Sequence, residues 1–424
     1  MTWSYGHEMD HHDETPLALR GDLQFFPIQH QGQQLILVKD DLGLVQEGQA
    51  VPLSLYRFMA LLDGTRSRRE LQAEMMRQQG GLLVGTSEVD RLLAHLDTSF
   101  LLDSHRYQKA RAELVSRFSS QTVRPAVHSG QSYPEDPAEL GFRLDDIMGK
   151  GASGVPSKGR LISLVAPHID LSVGEKAYAS TYQVLKQRRE HIRRQNKPLR
   201  VIILGTGHQL QQGLFSLTTK DFETPLGVTP TEDEAVHRLA EAGKGITAPD
   251  DFVHRSEHSI EFQLIFLQHL LEDIPFTLIP VLCGNLQTGL REYTRSAYQQ
   301  AAGPFLDCLK TLLNDTEQDT LLVAGVDLSH TGPKFGHDMP ASHLQSEFES
   351  HDRALLAHLA EPDADLFWEE SRRVEDRFNV CGFSALACLL EILPPCTGET
   401  RHYEVWHEEA TRSAVSFASV VFTI

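Results

Sequence analysis

Four strings in this 424-residue chain carry the residue types that do chemistry. Ala166-Pro-His168, Gly205-Thr-Gly-His208 and Asp327-Leu-Ser-His330 each place a histidine just beyond an apolar run, and Cys381 precedes Gly382 and an apolar stretch reaching Leu390. Imidazole titrates near neutrality and is the commonest metal ligand. A thiol at a helix N-terminus is biased toward the thiolate, the form that ligates metal. Two histidines and a cysteine suit zinc, copper or iron in an open site. Asp327 could orient an imidazole or accept its proton. Gly205 and Gly207 let the backbone turn sharply before His208 and approach a ligand. In Ser256-Glu-His-Ser-Ile-Glu261 the i,i+3 pair His258 and Glu261 has the spacing of helical di-metal ligands, but in a single copy. It lacks the two-histidine spacing of a zinc helix, so Glu257 and His258 read as capping or pocket-lining groups.

These residues need elements to hold them. Residues 161–166, 199–204, 276–282, 320–326 and 414–424 read as strands. They alternate with helical stretches over 175–189, 259–271, 306–314, 344–360 and 383–392. That alternation predicts an α/β domain over 161–424, with a mixed or parallel sheet flanked by helices. Ligands of open α/β sheets bind beyond the carboxyl ends of the strands. If the first, second and fourth of these strands are parallel, all three histidine loops meet in one crevice.

The rest of the chain is organised differently. Residues 1–20 are polar and read as a flexible tail, with His7, Asp10, His11, His12 and Asp13 as adventitious metal donors at most. Residues 21–118 form a small α+β unit. A strand at Gln34–Val38 turns at Asp40–Gly43 toward a partner at Leu44–Val45. Helices follow from Ser54, over Arg68–Gln79, and from an N-cap at Ser87 to Leu96, and Phe100–Leu102 makes a last strand. Hairpin, three helices and strand make a winged-helix-like plan. Residues 119–160 are proline-punctuated and loop-rich, and read as a connector together with the start of the larger domain. Gly149-Lys-Gly151-Ala-Ser-Gly154 matches G-x-G-x-x-G, yet no apolar strand precedes it and no helix pattern opens after it.

Composition narrows the classes. Asp and Glu total 58 against 39 Lys and Arg, a formal net charge of −19. That argues against nucleic acid, which needs clustered cations, and against an anionic membrane surface. Arg66, Arg68 and Arg69 read as a solvated face. No apolar run approaches the ~20 residues of a membrane span. Five scattered cysteines without a C-x-x-C pair point to reduced thiols and a cytoplasmic setting.

Taken in order, the strings resemble the Memo family, known in prokaryotes as AmmeMemoRadiSam system protein B. The resemblance runs from about residue 126 to 424. It passes through His128-Ser-Gly-Gln-Ser-Tyr-Pro134, Ala166-Pro-His168, Leu204-Gly-Thr-Gly-His208, Glu257-His-Ser-Ile-Glu261, Ile279-Pro-Val-Leu282, Asp327-Leu-Ser-His330, Val380-Cys-Gly382 and Ser413-Ala-Val-Ser-Phe-Ala418. It implies a fold like that of class III extradiol dioxygenases. By position it implies His168, His208 and Cys381 as metal ligands, with iron or copper as the metal and zinc as a further possibility. His330 and Asp327 fall at the adjacent acid–base pair. The chain departs from the family at Ser132, where a tryptophan is usual, and at Ile169-Asp-Leu-Ser172, where aromatic residues are usual. Asp170 adds a carboxylate that could serve the pocket. The name implies radical-SAM and AMMECR-type partners. Phe58-Met-Ala-Leu-Leu-Asp-Gly-Thr65, Arg69-Glu-Leu71 and the stretch 89–102 resemble PqqD-like peptide-recognition units, which would let the small unit bind a peptide. The expected function is a metal-binding redox or dioxygenase-like protein. The alternatives are a non-catalytic scaffold that keeps the crevice for a peptide or effector, and a metal-assisted hydrolase.

Overall fold

The computed structural model describes residues 16–78, 80–151, 159–195 and 197–424. The chain divides into two units, Met1–Arg117 and Phe118–Ile424.

In the first unit β1 (Gln24–His30), β2 (Gln33–Lys39) and β3 (Ala50–Pro52) form an antiparallel sheet in that order. Helices α1 (Leu53–Met59), α2 (Arg68–Gln78), α3 (Thr86–Thr98) and α4 (His105–Ser119) follow. Ile36, Val38, Phe58, Met59, Leu71, Leu93 and Leu96 are buried together. Leu44 and Val45 do not make the hairpin partner. Their N–H groups, with that of Leu42, donate to the Asp40 carboxylate at 2.8–3.0 Å, which closes a turn, and β1 takes the partner's place. Phe100–Leu102 contributes a single bridge, Leu19 to Leu102, rather than a strand. The cap of α3 is Gly85, not Ser87. The tail read over 1–20 also ends early. Leu17 packs against the core, Ala18 bridges to Asp63, and Arg20 is buried against Asp22 and Asp40. The tail's histidines and acids lie outside the described residues.

The second unit opens with β4 (Val123–Arg124) and α5 (Pro137–Gly149) inside the stretch read as a connector. Its prolines misled that reading. Pro137 takes the first helical turn, where its missing N–H costs nothing, and Asp136 caps the N–H groups of Ala138 and Glu139. The G-x-G-x-x-G string begins at the end of this helix, and its residues from 152 on lie outside the described residues.

Next come β5 (Leu161–Ala166), α6 (Glu175–Gln195), β6 (Leu199–Thr206), β7 (Phe215–Leu217), β8 (Asp221–Thr224), β9 (Gly227–Thr229), α7 (Asp233–Ala242) and α8 (Glu261–Leu270). They are followed by β10 (Phe276–Cys283), α9 (Leu286–Gly289), α10 (Arg295–Leu313), β11 (Asp319–Gly325), β12 (His330–Thr331), α11 (Gln345–Ala360), α12 (Ala364–Arg373), α13 (Phe383–Ile392), β13 (Thr397–Glu408) and β14 (Ser413–Thr423). The main sheet runs β12-β14-β5-β11-β6-β10-β7, with β13 on β14 and the pairs within β5-β11-β6-β10 parallel. The fold is α/β, with a mixed sheet and helices on both faces. Its central strands are apolar on both sides, as strands covered by helices on both faces must be. Ile202, Leu204, Leu322 and Ala324 pack with α7, α10 and α13, while Val201, Ile203, Leu321 and Val323 pack with α5, α6 and α8.

Candidate metal centre

Strand register brings the chemistry together. Gly325 at the end of β11 pairs with Ala166 of β5 on one side and Gly205 of β6 on the other. The three parallel strands therefore end at one level, and the loops bearing His168, Asp327 and His208 leave the sheet side by side. The 256–260 segment folds over these ends. A side chain at Gly325 would collide with the Ser259 carbonyl. From the next connection Cys381 arrives just ahead of α13. At Gly382 a Cβ would lie 2.6 Å from the Asp327 carbonyl, so glycine there lets Cys381 sit against the strand end.

Each of two imidazoles is held by one nitrogen. His168 is buried, and its Nδ1–H donates to the Gly325 carbonyl at 2.9 Å. This leaves Nε2 facing Cys381 Sγ at 3.5 Å and Asp327 Oδ2 at 3.6 Å. The His208 ring, 34% exposed, places Nδ1 3.1 Å from both oxygens of Glu257, and its backbone N–H donates to the same carboxylate at 3.0 Å. One ligand atom from each of His168, His208 and Cys381 lies within 4.8 Å of the others. Such anchoring by the far nitrogen is how proteins fix tautomer and aim in metal-binding histidines.

The charges agree with this layout. Burial by itself would raise the Cys381 thiol. The neighbouring His168 and His330, with hydrogen bonds from His168 and His208, outweigh it and hold the thiol well below its ordinary range. Desolvation pulls His168 down, but Asp327 and the Cys381 thiolate push it up to about 9. His208 also rises, because the Glu257 carboxylate overcomes desolvation. Glu257 stays well below its usual value despite its own burial, chiefly through His208.

Glu257 and His258, read from the sequence as capping or pocket-lining groups, stand behind His208 and outside the lining of the cavity in front of Cys381. With His208 they form a second grouping of ligand atoms within 4.8 Å. However, the Glu257 carboxylate already accepts from the His208 backbone and ring and from the backbone N–H groups of His258 and Ser259, at 2.9–3.1 Å. It therefore acts to aim His208. His258 stacks on His208 at 5.0 Å and meets His168 edge-on at 5.1 Å, a wall behind both rings. Desolvation and the surrounding imidazoles lower its pKa well below the ordinary histidine range.

In front of Cys381 opens a cavity of about 330 Å³, lined by Thr206, Gly207, His208, His330, Cys381, Asn379 and Asp376 among others. His330 donates from Nδ1 to the Leu328 carbonyl at 2.9 Å and packs edge-on against Phe335, leaving Nε2 uncommitted. Asp327 sits behind, buried, its Oδ1 accepting the backbone N–H groups of His168 and Ile169. Burial raises its pKa and His168 moderates the rise. Asp170 is exposed and turned onto Ser172, outside the lining of this cavity.

Sequence reasoning missed the support beneath the site. Arg124 and Glu261 form a fully buried ion pair, joined by Tyr133 through its hydroxyl. Arg124 also donates to the carbonyls of His254 and Glu257 at 2.9 and 2.8 Å, and His128 donates its backbone N–H to Glu261. The start of the unit thus pins the loop that aims His208. The sequence offered both halves separately, the opening string His128 to Pro134 and Glu261 as an i,i+3 partner of His258, but nothing that joined them; the structure turns Glu261 to Arg124 and Tyr133 instead.

Fold and site together define an α/β protein with an open site at the carboxyl ends of its parallel strands, where two anchored imidazoles face a thiol. The Memo-like protein family matches residues 124–421. A "MEMO1 family protein" of Aquifex aeolicus is 30% identical over 405 residues, covering 95% of this chain and 100% of that protein. Namesakes in Thermus thermophilus and Pyrococcus furiosus are 25% and 26% identical, covering 84% and 70% of this chain and 99% and 98% of their own. The chain belongs to the Memo-like protein family.

Proposed function

We propose that the large unit binds a redox-active transition metal through His168 Nε2, His208 Nε2 and Cys381 Sγ, and uses it in dioxygenase-like or other redox chemistry. One observation carries this reading: each imidazole is tied at Nδ1, and both free nitrogens are left beside one thiolate. The donor set fits the group. A thiolate with two imidazoles is soft enough for iron or copper(I), and zinc would also be accepted. Iron or copper held there would supply electron transfer to or from oxygen or an organic substrate. The chain's own groups do the rest. His330 Nε2, open to the cavity, holds or delivers a proton. Asp327 fixes the His168 loop and balances its charge. His258 and Phe262 keep an aromatic backing behind the ligands. The small unit, by its resemblance to PqqD-like units, would dock a peptide, and radical-SAM and AMMECR-type proteins are the proposed partners.

The test is metal analysis of anaerobically purified protein. About one equivalent of iron or copper is expected, falling below about a tenth in His208→Ala, since losing one of three ligands removes most of the binding energy. A wild-type protein that neither carries nor takes up a transition metal would overturn the reading and favour a scaffold that keeps the crevice for a peptide or effector.

A further inference from the structure

We infer that the cavity beside Cys381 takes a ligand carrying a cationic amine, with Asp376 as its counter-charge. The inference rests on the proposed function in taking this cavity as the substrate's place, but Asp376 carries it rather than a metal. Four of the buried carboxylates are met by cations: Glu261 by Arg124, Glu391 by Arg295, Glu257 by His208 and Asp327 by His168. Asp352 instead accepts three hydroxyls and is sealed from the cavity. Asp376 has neither arrangement. It lines the cavity and accepts only the Val380 N–H at 3.2 Å and the Gln287 amide at 3.1 Å, with no ion pair among the described residues.

Three features agree. Burial without a cation pushes Asp376 up to about 6, the cost that an incoming cation repays. The described cavity lining contains no lysine or arginine, while Tyr293, Phe335 and Phe383 supply aromatic surface suited to a cation. Finally, Asp376 and Asn379 both sit at positive φ, 50° and 49°. Asp and Asn are the side-chain-bearing residues that adopt this conformation most readily, so the loop sets Asp376 at the cavity without unusual strain.

The cavity volume is that of a pocket for a small organic ligand, so the probes are three phenylethyl compounds that differ in head group: phenethylamine, 2-phenylethanol and 3-phenylpropionate. Binding of each to the full-length protein is measured by calorimetry near pH 7.5, with metal content recorded on the same sample. The amine should bind at least about tenfold more tightly than the alcohol, since an ion pair in a partly buried site outweighs the amine's desolvation. The propionate should bind most weakly. Asp376→Asn should abolish the preference. Asparagine is at ease at positive φ and can still accept from Val380, so the loop should survive. Equal or tighter binding of the alcohol or the acid to the wild-type protein overturns the inference without any variant, as does the absence of saturable amine binding. A preference that persists in Asp376→Asn overturns it too. Full metal without amine preference sinks this inference alone, and amine preference in a protein that takes up no metal sinks the metal reading alone.

Discussion

His208 shows how much of this site depends on a residue that never faces the cavity. Glu257 grips its Nδ1 and its backbone N–H together, so the ring's aim is set from behind. Removing that charge while keeping the shape should loosen the ligand without displacing the chain. Glu257→Gln is expected to weaken metal affinity about 10–100-fold, read by competition with a chelator, with little change in melting temperature. Lowering the pH should weaken binding as well, because the imidazoles ligate only when neutral and His168 prefers its proton up to about 9 in the metal-free protein. At this scale the sequence was informative about types and poor about roles. His168, His208 and Cys381 were legible from their places after predicted strands and before a helix. Asp376 and Asn379 were not, because a loop's φ angles and an empty neighbourhood leave no periodicity to read. Asp170 looked useful by proximity in sequence alone, yet its carboxylate spends itself on Ser172.

At the scale of elements, the central strands were readable because strands covered on both faces are short continuous apolar runs. β5 and α13 fall where the pattern puts them. β13 escaped because its residues are polar or only half-buried along most of its length, and α5 escaped because Pro137 resembled a breaker rather than a first-turn residue. What no pattern gives is register, and register is what sets three loops at one level. The Gly325 pairing is sensitive for that reason. Gly325→Ala would drive a methyl into the Ser259 carbonyl, at an expected cost of about 1–3 kcal/mol, and should displace the Glu257 loop. Denaturant titration with parallel metal analysis would check both effects. The buried Arg124–Glu261 pair predicts a larger loss. Arg124→Ala should cost about 3–5 kcal/mol by leaving Glu261 buried and unmatched.

At the scale of the whole molecule, the two units have separate cores, and the relatives named above match this chain over 95%, 84% and 70% of its length. The small unit has its own electrostatic key. Arg20 and Asp40 pair with side chains 0% and 2% exposed. Burial works against the Asp40 carboxylate, yet the Arg20 guanidinium and the backbone N–H groups of Val45 and Leu42 hold its pKa below the usual value. A depressed carboxylate stabilises above its unfolded pKa of about 3.9 and loses that contribution as pH falls through the lower folded value. Amide protection factors in residues 16–117, corrected for the intrinsic pH dependence of exchange, should therefore fall below about pH 4. Asp40→Asn should lower protection at neutral pH by about 1.5–3 kcal/mol and flatten that acid limb. No helix among the described residues is long and apolar enough to cross a membrane.

The central claim is that His168, His208 and Cys381 hold one metal. X-ray absorption at the metal edge of anaerobically purified protein tests it most directly. The predicted spectrum contains one sulfur and two imidazole nitrogens around iron or copper, and the sulfur contribution disappears in Cys381→Ser. A protein without metal, or a metal surrounded only by oxygen and nitrogen in the wild type, would contradict the account.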